Sequence, residues 1–418
     1  MRLLAVIIAS VTFAPTALAW TPLTSGVQNS VAPSMLVTQA GATLIAWDSP
    51  VAGTISISRN HGSPRIIVSG DPAANRDQLI QQPNGMLQLY YPNAQGVGRM
   101  SSSDDGQSWT GPAQTQSHTL GPVMAAAVAP DGTPYFAQDA TDTLNVFRGL
   151  NGESVRNIFT RCCAEAESLA VDTSGLAQVA FYSNADPDGA FVYDALGADL
   201  TPTTSTSLKP TSQHTDRAPL IADHSGHTFL AWPPGDPATG MTVVPFVNGS
   251  PAGDGVTFHG NFTGGDPHMD LAVDSSDRLW AVWSGGGAVH VARSRSHGQH
   301  FGAVVSASVP GTIYQVSAAA VSTGVGSIDV IVNTGSSLVE ETLQPGLSVK
   351  LTTKKKVGKK TIVTHFAQAL DDGFGVPHAT FKIGGRTIKA DTSGKAKVPV
   401  GSGKAAAAGY VGASFKVH

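Results

Sequence analysis

One pattern recurs along most of this chain and constrains its fold more than any other feature. An apolar strand leads into a short polar turn with Gly or Asp, and a second strand then ends in small and aromatic residues. It reads SMLVTQAGATLIAWDS, QLIQQPNGMLQLYY, MAAAVAPDGTPYFAQ, SLAVDTSGLAQVAFYS, PLIADHSGHTFLAW, DLAVDSSDRLWAVWS and VSAAAVSTGVGSIDVIV. The turns fall at Gly41, Gly85, Gly132, Gly175, Gly226, Asp277 and Gly324, 43 to 51 residues apart. A repeat of that length, alternating with period two, suits one four-stranded sheet of a β-propeller. Each unit continues with a third strand such as TISIS or VHVARS and a fourth such as PRIIVSG or FGAVVSAS. The seventh lacks its own fourth strand. TPLTSGV, far upstream, can supply it and close the ring, which would remove exposed sheet edges. Seven blades are expected, with six as the alternative. The high Gly (46) and Pro (26) content fits turn-rich, all-β structure.

The first residues, MRLLAVIIASVTFAPTALAW, have the layout of a secretory signal: Arg2, a short apolar run, then Ala17-Leu18-Ala19 as a small-residue cleavage site. The run is too short to span a bilayer, and no later segment is long and apolar enough. The expected organisation is a signal at 1–19, a propeller at 20–345 and a separate β domain at 346–418, in a secreted protein.

Charge divides the chain in the same way. Residues 20–345 hold 12 basic and 27 acidic residues, whereas 346–418 hold 13 basic and 3 acidic. The basic segment alternates short strands with GG and DTSG turns. Its stretch GVPHATFKIGGRTIKADTSGKA resembles bacterial Ig-like and carboxypeptidase-regulatory-like domains, which implies a small β-sandwich. The cluster Lys354, Lys355, Lys356, Lys359 and Lys360 suits anionic envelope polymers or acidic glycans. It serves equally as a lysine edge that blocks strand pairing, or as a surface resting on the acidic propeller. Neither aromatic interleaving nor a groove motif suggests a nucleic-acid partner. The sequence leaves the oligomeric state open and calls for no cofactor or metal.

The stretch SSDDGQSW at the third-to-fourth strand turn of the second unit carries Ser102, Asp104, Gly106 and Trp109 at the spacing S-x-D-x-G-x-x-W. SRNHGSPR (58–65) and SRSHGQHF (294–301) are degenerate copies in the same phase. These turns resemble the Asp box of the sialidase-like propeller superfamily, known also as the BNR repeat. The chemistry is local: Ser102 and Asp104 can accept turn N–H groups, Gly106 can take a positive φ, and Trp109 can cover the hairpin base. Turn chemistry accounts for Asp104 without any catalytic role.

Propeller ligands bind where loops enter the innermost strands. Those entries offer Arg76, Asp77, Glu167, Arg217, Asp266, His268 and Asp270 as ligand-binding candidates. Arg76 and Arg217 suit a ligand carboxylate, and Arg-Asp neighbours can equally form internal ion pairs. Were the protein an enzyme, Glu165, Asp216 and Tyr314 would be its catalytic candidates, working as acid, base or nucleophile. Cys162 and Cys163 are the only cysteines, adjacent and in a compartment that favours oxidation, so a vicinal disulfide near the mouth is expected.

The sialidase resemblance implies an arginine triad, a Tyr-Glu nucleophile pair, an Asp acid and an Arg-Ile-Pro stretch. The chain has PRII at 64–67 instead, and only five Glu in its body: Glu153, Glu165, Glu167, Glu340 and Glu341. A third entry arginine is not evident, though Arg161 is near one. The resemblance therefore covers the architecture and leaves the catalytic set incomplete. The leading expectation is non-catalytic recognition of a glycan or cell-envelope ligand at the axial funnel. An exo-acting glycosidase and a structural surface protein are the alternatives.

Overall fold

The computed structural model describes residues 20–28, 32–49, 51–70, 77–116, 124–140, 143–159, 165–183, 190–208, 218–235, 238–259, 268–356 and 362–417. Every regular element among them is a strand. No described helix is long and apolar enough to cross a membrane.

Seven antiparallel sheets account for the described strands up to Leu343. The first unit shows the plan: Ser34–Val37 pairs with Thr43–Ser49, which pairs with Thr54–Arg59, which pairs with Arg65–Ser69. The innermost strands of the remaining units are Gln78–Gln81, Met124–Val128, Glu165–Val171, Leu220–Ala222, Met269–Val273 and Gln315–Val321. Each packs against the next, and Gln315–Val321 packs back against Ser34–Val37, so the seven strands form a closed circle. The fifth sheet carries one extra short strand. The seventh is completed from the other end of the chain, where Thr21–Ser25 runs antiparallel to Ser337–Leu343. This is the closure expected from TPLTSGV.

The second strands are the heart of each unit. Leu44, Ile45 and Ala46 have no exposed surface, nor do Leu87, Leu89 and Tyr90. Both faces of these strands are buried because sheets stack on either side, which is why they read as apolar runs.

Side chains also stitch the innermost strands together. Ser34 Oγ accepts the Leu79 amide at 2.9 Å, Ser317 Oγ donates to the Pro33 carbonyl, and Asp270 Oδ2 accepts the Ala318 amide at 2.8 Å. These bonds run between neighbouring sheets, where no strand ladder exists to pair the backbone.

The SSDDGQSW turn closes on itself. Ser102 Oγ accepts Gly106 N–H at 2.9 Å and donates to Asp104 Oδ1 at 2.8 Å, while Asp104 Oδ1 accepts Ser108 N–H at 2.8 Å. Those donors, led by Ser108, hold the Asp104 carboxyl at about 2. Gly106 has φ +79°, and a Cβ there would meet Leu44 of the preceding unit at 2.8 Å. The copy at 294–301 repeats this plan, with Gly298 N–H on Ser294 Oγ at 3.0 Å and His300 N–H on Ser296 Oγ at 3.1 Å. Its glycine faces Phe229, again of the preceding unit. The turn is thus a docking device between sheets as well as a hairpin cap.

Residues from Ser348 onward form two further sheets. One contains Ser348–Lys356, Ile362–Asp371, Phe374–Gly375 and Lys395–Val398, and the other Arg386–Lys389, Thr380–Ile383, Gly401–Ala406 and Ala413–Val417. Leu347, Ala367, Ala369, Phe381, Ile383, Val398 and Phe415 share one core. Alternation is clean in Ala413–Val417, where every second residue is buried.

This module meets the propeller through charges of unexpected sign. The propeller supplies the cation and the basic module the anions. Arg293 and Asp371 form an ion pair with side chains 2 % and 1 % exposed. Beside it, Asp372 Oδ2 accepts Arg295 N–H at 2.6 Å and Ser296 Oγ–H at 2.9 Å. Ser296 stands where the intact turn has Asp104, so a carboxylate from the second module completes the degenerate copy.

Candidate functional site

The circle of innermost strands encloses a cavity of about 200 Å³, lined by Ser34, Gln78, Leu220, Asp270, Ser317 and Ala318 among others. In each unit the first strand enters at one end of this axis, and the second strand, antiparallel to it, finishes at the same end. The mouth is therefore furnished by two sets of residues: those preceding first strands and those ending second strands.

Asp77 belongs to the first set and Asp48 to the second. Asp48 lies near the end of Thr43–Ser49, and Asp77 immediately precedes Gln78–Gln81. Each residue is 2 % exposed. All four of their carboxylate oxygens are buried without a hydrogen-bond partner among the described residues. Burial pushes the Asp48 carboxyl up to about 6, partly countered by its own backbone amide. Burial also holds Asp77 well above the usual carboxylate range, and the Asp48 charge adds to that. A carboxyl whose proton affinity is raised by a neighbouring carboxylate resists ionising together with it. The pair can thus present a donor and acceptors at once.

Other polar groups share this end. Gln138, near the end of Pro134–Ala140, is 1 % exposed with both amide atoms unpartnered, and Ser168 Oγ on Glu165–Val171 is likewise unpartnered. Ser168 faces the fourth residue of its partner strand, Ala180, as Ser34 faces Ala46. Buried polar atoms left without partners are uncommon, and these four residues stand at the end of the circle where the first strands begin.

The residues expected from sequence are distributed unevenly. Asp77 immediately precedes the second unit's first strand, and its carboxylate has no partner among the other described residues. Asp270 lines the cavity, but its oxygens accept the amides of Leu271 at 2.9 Å and Ala318 at 2.8 Å, so it serves ring closure. His268 exchanges backbone bonds with Ser284, its amide reaching Ser284 Oγ at 3.0 Å. Tyr314 is half-buried, its amide bonded to the Asn333 carbonyl at 2.8 Å. Glu165 and Glu167 fall on the innermost strand of the fourth unit, and their side chains lie outside the described residues. Arg76, Asp216, Arg217, Asp266, Cys162 and Cys163 also lie outside them.

Asp48 and Gln138 stand near the ends of second strands, outside the loops entering first strands that supply the sequence candidates. The signal was present in TLIAWDS, where a carboxylate follows directly on a buried apolar run. A hairpin that reverses direction returns such a residue to the end where the first strand began.

No protein-family model and no curated protein matches this chain. Solved structures do. The selenomethionine-substituted virginiamycin B lyase of Staphylococcus aureus aligns over 78% of this chain and 99% of its own, with 10% identity and a TM-score of 0.50. A streptogramin B lyase structure aligns over 77% and 96%, with 10% identity and a TM-score of 0.51. A microbial sialidase, Hadza Hz136, covers 75% of this chain at 10% identity, but its TM-score of 0.40 is too low to carry an argument. At such identities the likeness establishes the β-propeller fold and nothing about chemistry.

Proposed function

We propose that this chain is a secreted, seven-bladed β-propeller of the Asp-box type that recognises a hydroxyl-rich ligand, a glycan or cell-envelope saccharide, at the mouth of its axial cavity. The observation that carries this reading is the buried, unpartnered pair Asp48 and Asp77. A protonated carboxyl donates and an ionised one accepts, which is what adjacent sugar hydroxyls require. Gln138 and Ser168 add a second donor-acceptor set at the same end. Arg76 and Arg217 belong to this proposal as partners for an acidic group on the ligand. Residues 346–418 form an Ig-like sandwich whose Lys354 and Lys355, exposed on one sheet, would add salt-sensitive attraction to anionic polymers.

The test is a glycan array together with cell-wall pull-down, using wild type and Asp77→Asn. Retention that falls at least tenfold in the variant supports recognition at the mouth. Blank results for wild type in both would refute it.

One observation favours a second reading, an exo-acting glycoside hydrolase. A carboxyl raised to about 6, beside another held higher still, is the environment of a general acid. A fluorogenic glycoside panel separates the two. Turnover lost in Asp48→Asn or Asp77→Asn establishes the enzyme, and binding without turnover establishes the receptor.

A further inference from the structure

At the opposite end of the propeller from the mouth, we propose that Asp223, His227 and His297 form a binding site for a divalent transition-metal ion of the zinc class. Three equivalent first-to-second strand turns provide an internal comparison. In each, Oδ1 of a buried aspartate accepts the amides two and four residues on: Ser174 and Leu176 on Asp172, Ser225 and His227 on Asp223, Ser276 and Arg278 on Asp274. The turn needs no more than that. Oδ2 is left to a side chain, and its partner differs between units. On Asp172 it is the Gln178 amide at 3.2 Å, and on Asp274 the Arg278 guanidinium at 2.6 Å. The groups facing that oxygen there, the Gln178 NH2 and the Arg278 guanidinium, only donate.

On Asp223 the same oxygen meets two imidazole nitrogens, His227 Nδ1 at 3.1 Å and His297 Nδ1 at 2.9 Å. The second histidine comes from the neighbouring unit, at the fourth position of the SRSHGQHF turn, where φ is +50°. That position reaches the preceding unit in all three copies. Asp105 meets Arg59 at 2.6 Å, and His61 meets Glu340 at 2.9 Å. Only in the pairing of the fifth and sixth units does it add a second imidazole to an oxygen that already has one.

The two rings stack with centroids 4.4 Å apart and planes 24° apart, both presenting Nδ1 to one oxygen. All three candidate ligand atoms lie within 4.8 Å of one another. Tetrahedral zinc with bonds near 2.1 Å separates its ligands by about 3.4 Å. The triad would open by a few tenths of an ångström to admit the ion. An ion would take both nitrogen lone pairs and the carboxylate, and neither ring would then need a proton at Nδ1. Two nitrogens and one oxygen suit zinc better than magnesium or calcium. The Asp223 side chain is fully enclosed, whereas His227 and His297 are 27 % and 38 % exposed. The inner side is therefore closed and the outer side leaves room for a water ligand.

The test uses untagged full-length protein stripped with a chelator and titrated with zinc chloride by calorimetry. One ion per chain is expected, with a rise in melting temperature on binding. His297→Asn keeps a residue that tolerates positive φ and should weaken binding by about 100-fold or more, since it removes one of three protein ligands. His227→Gln keeps a donor on Asp223 Oδ2, as Gln178 supplies on Asp172, and should weaken binding likewise. His224, paired with the separate carboxylate of Asp277 at 2.8 Å, is the control, and His224→Ala should bind as wild type does. Absence of stoichiometric binding, unaltered affinity in either ligand variant, or equal loss in His224→Ala would overturn the proposal.

Discussion

Replacing Asp48 by Asn should make the protein more stable at neutral pH while emptying the site. Asp48 is 2 % exposed and unpartnered, and its carboxyl rises from 3.8 to about 6. Between those two values the native state holds a proton that the unfolded chain has already lost. Stability therefore falls as pH rises across that window, the reverse of a salt-bridged aspartate. A rise of about two pH units, at about 1.4 kcal/mol each, makes the ionised carboxylate cost about 3 kcal/mol at pH 7 relative to pH 3. Asn has nearly the same shape and no charge, so its advantage should be about 3 kcal/mol at pH 7 and close to zero at pH 3. Urea denaturation of wild type and Asp48→Asn from pH 3 to pH 8 measures the difference at each pH. The difference should grow through pH 4 to 6 and then level off, with unchanged dependence on urea. A flat difference curve, or a less stable variant at pH 7, would refute the reasoning. It would mean that the carboxylate is compensated in the native state.

Further predictions concern the joints of the structure. Arg293→Met strands Asp371 in a dry interface and should cost about 3 kcal/mol, the lower end of the range for broken buried pairs, because Arg295 lies 3.7 Å from the same carboxylate. Adding Asp371→Leu should restore most of that loss, and a denaturant double-mutant cycle showing no coupling would contradict this. His61 is held above its ordinary value first by its hydrogen bond to Glu340, so its contribution is complete below pH 6.5 and lost as pH rises through its raised value. With 40 % of its side chain exposed, that contribution should stay under about 1 kcal/mol, read as the difference between wild type and His61→Gln across pH 5 to 8. Gly106→Ala should destabilise by more than about 1 kcal/mol, since alanine is strained at φ +79° and its Cβ would strike Leu44, and a melting temperature equal to wild type would contradict this. Asp104→Ala should leave ligand retention unchanged, because its carboxylate serves only its own turn, and loss of retention in a folded variant would contradict this.

The repeat was legible because its causes are local. Alternation in TISISR, apolar runs such as TLIAW and glycines at positive φ each act within a few residues, so the chain declares them in order. Closure by Thr21–Ser25 was legible for a similar reason, since six complete units and one incomplete unit leave a single edge to fill. The turn SSDDGQSW could be read as a cap from its spacing alone. Its second task, pressing Gly106 onto Leu44, could not.

What the sequence decided alone is the unit: a four-stranded sheet with its turns and its buried central strand. What the tertiary structure decided is the company each polar side chain keeps. Asp48 and Asp77 are 29 positions apart and His227 and His297 are 70, distances over which no periodicity carries information. Asp270 is a ligand candidate by its place at a strand entry, and only closure of the circle sets its carboxylate on the Ala318 amide. In one of three readings the basic module offered cations to an acidic body; it docks instead through Asp371 and Asp372 onto Arg293 and its neighbours. Net charge is a sum over a segment, whereas a buried contact depends on which few groups lose water together, and only the folded chain determines that.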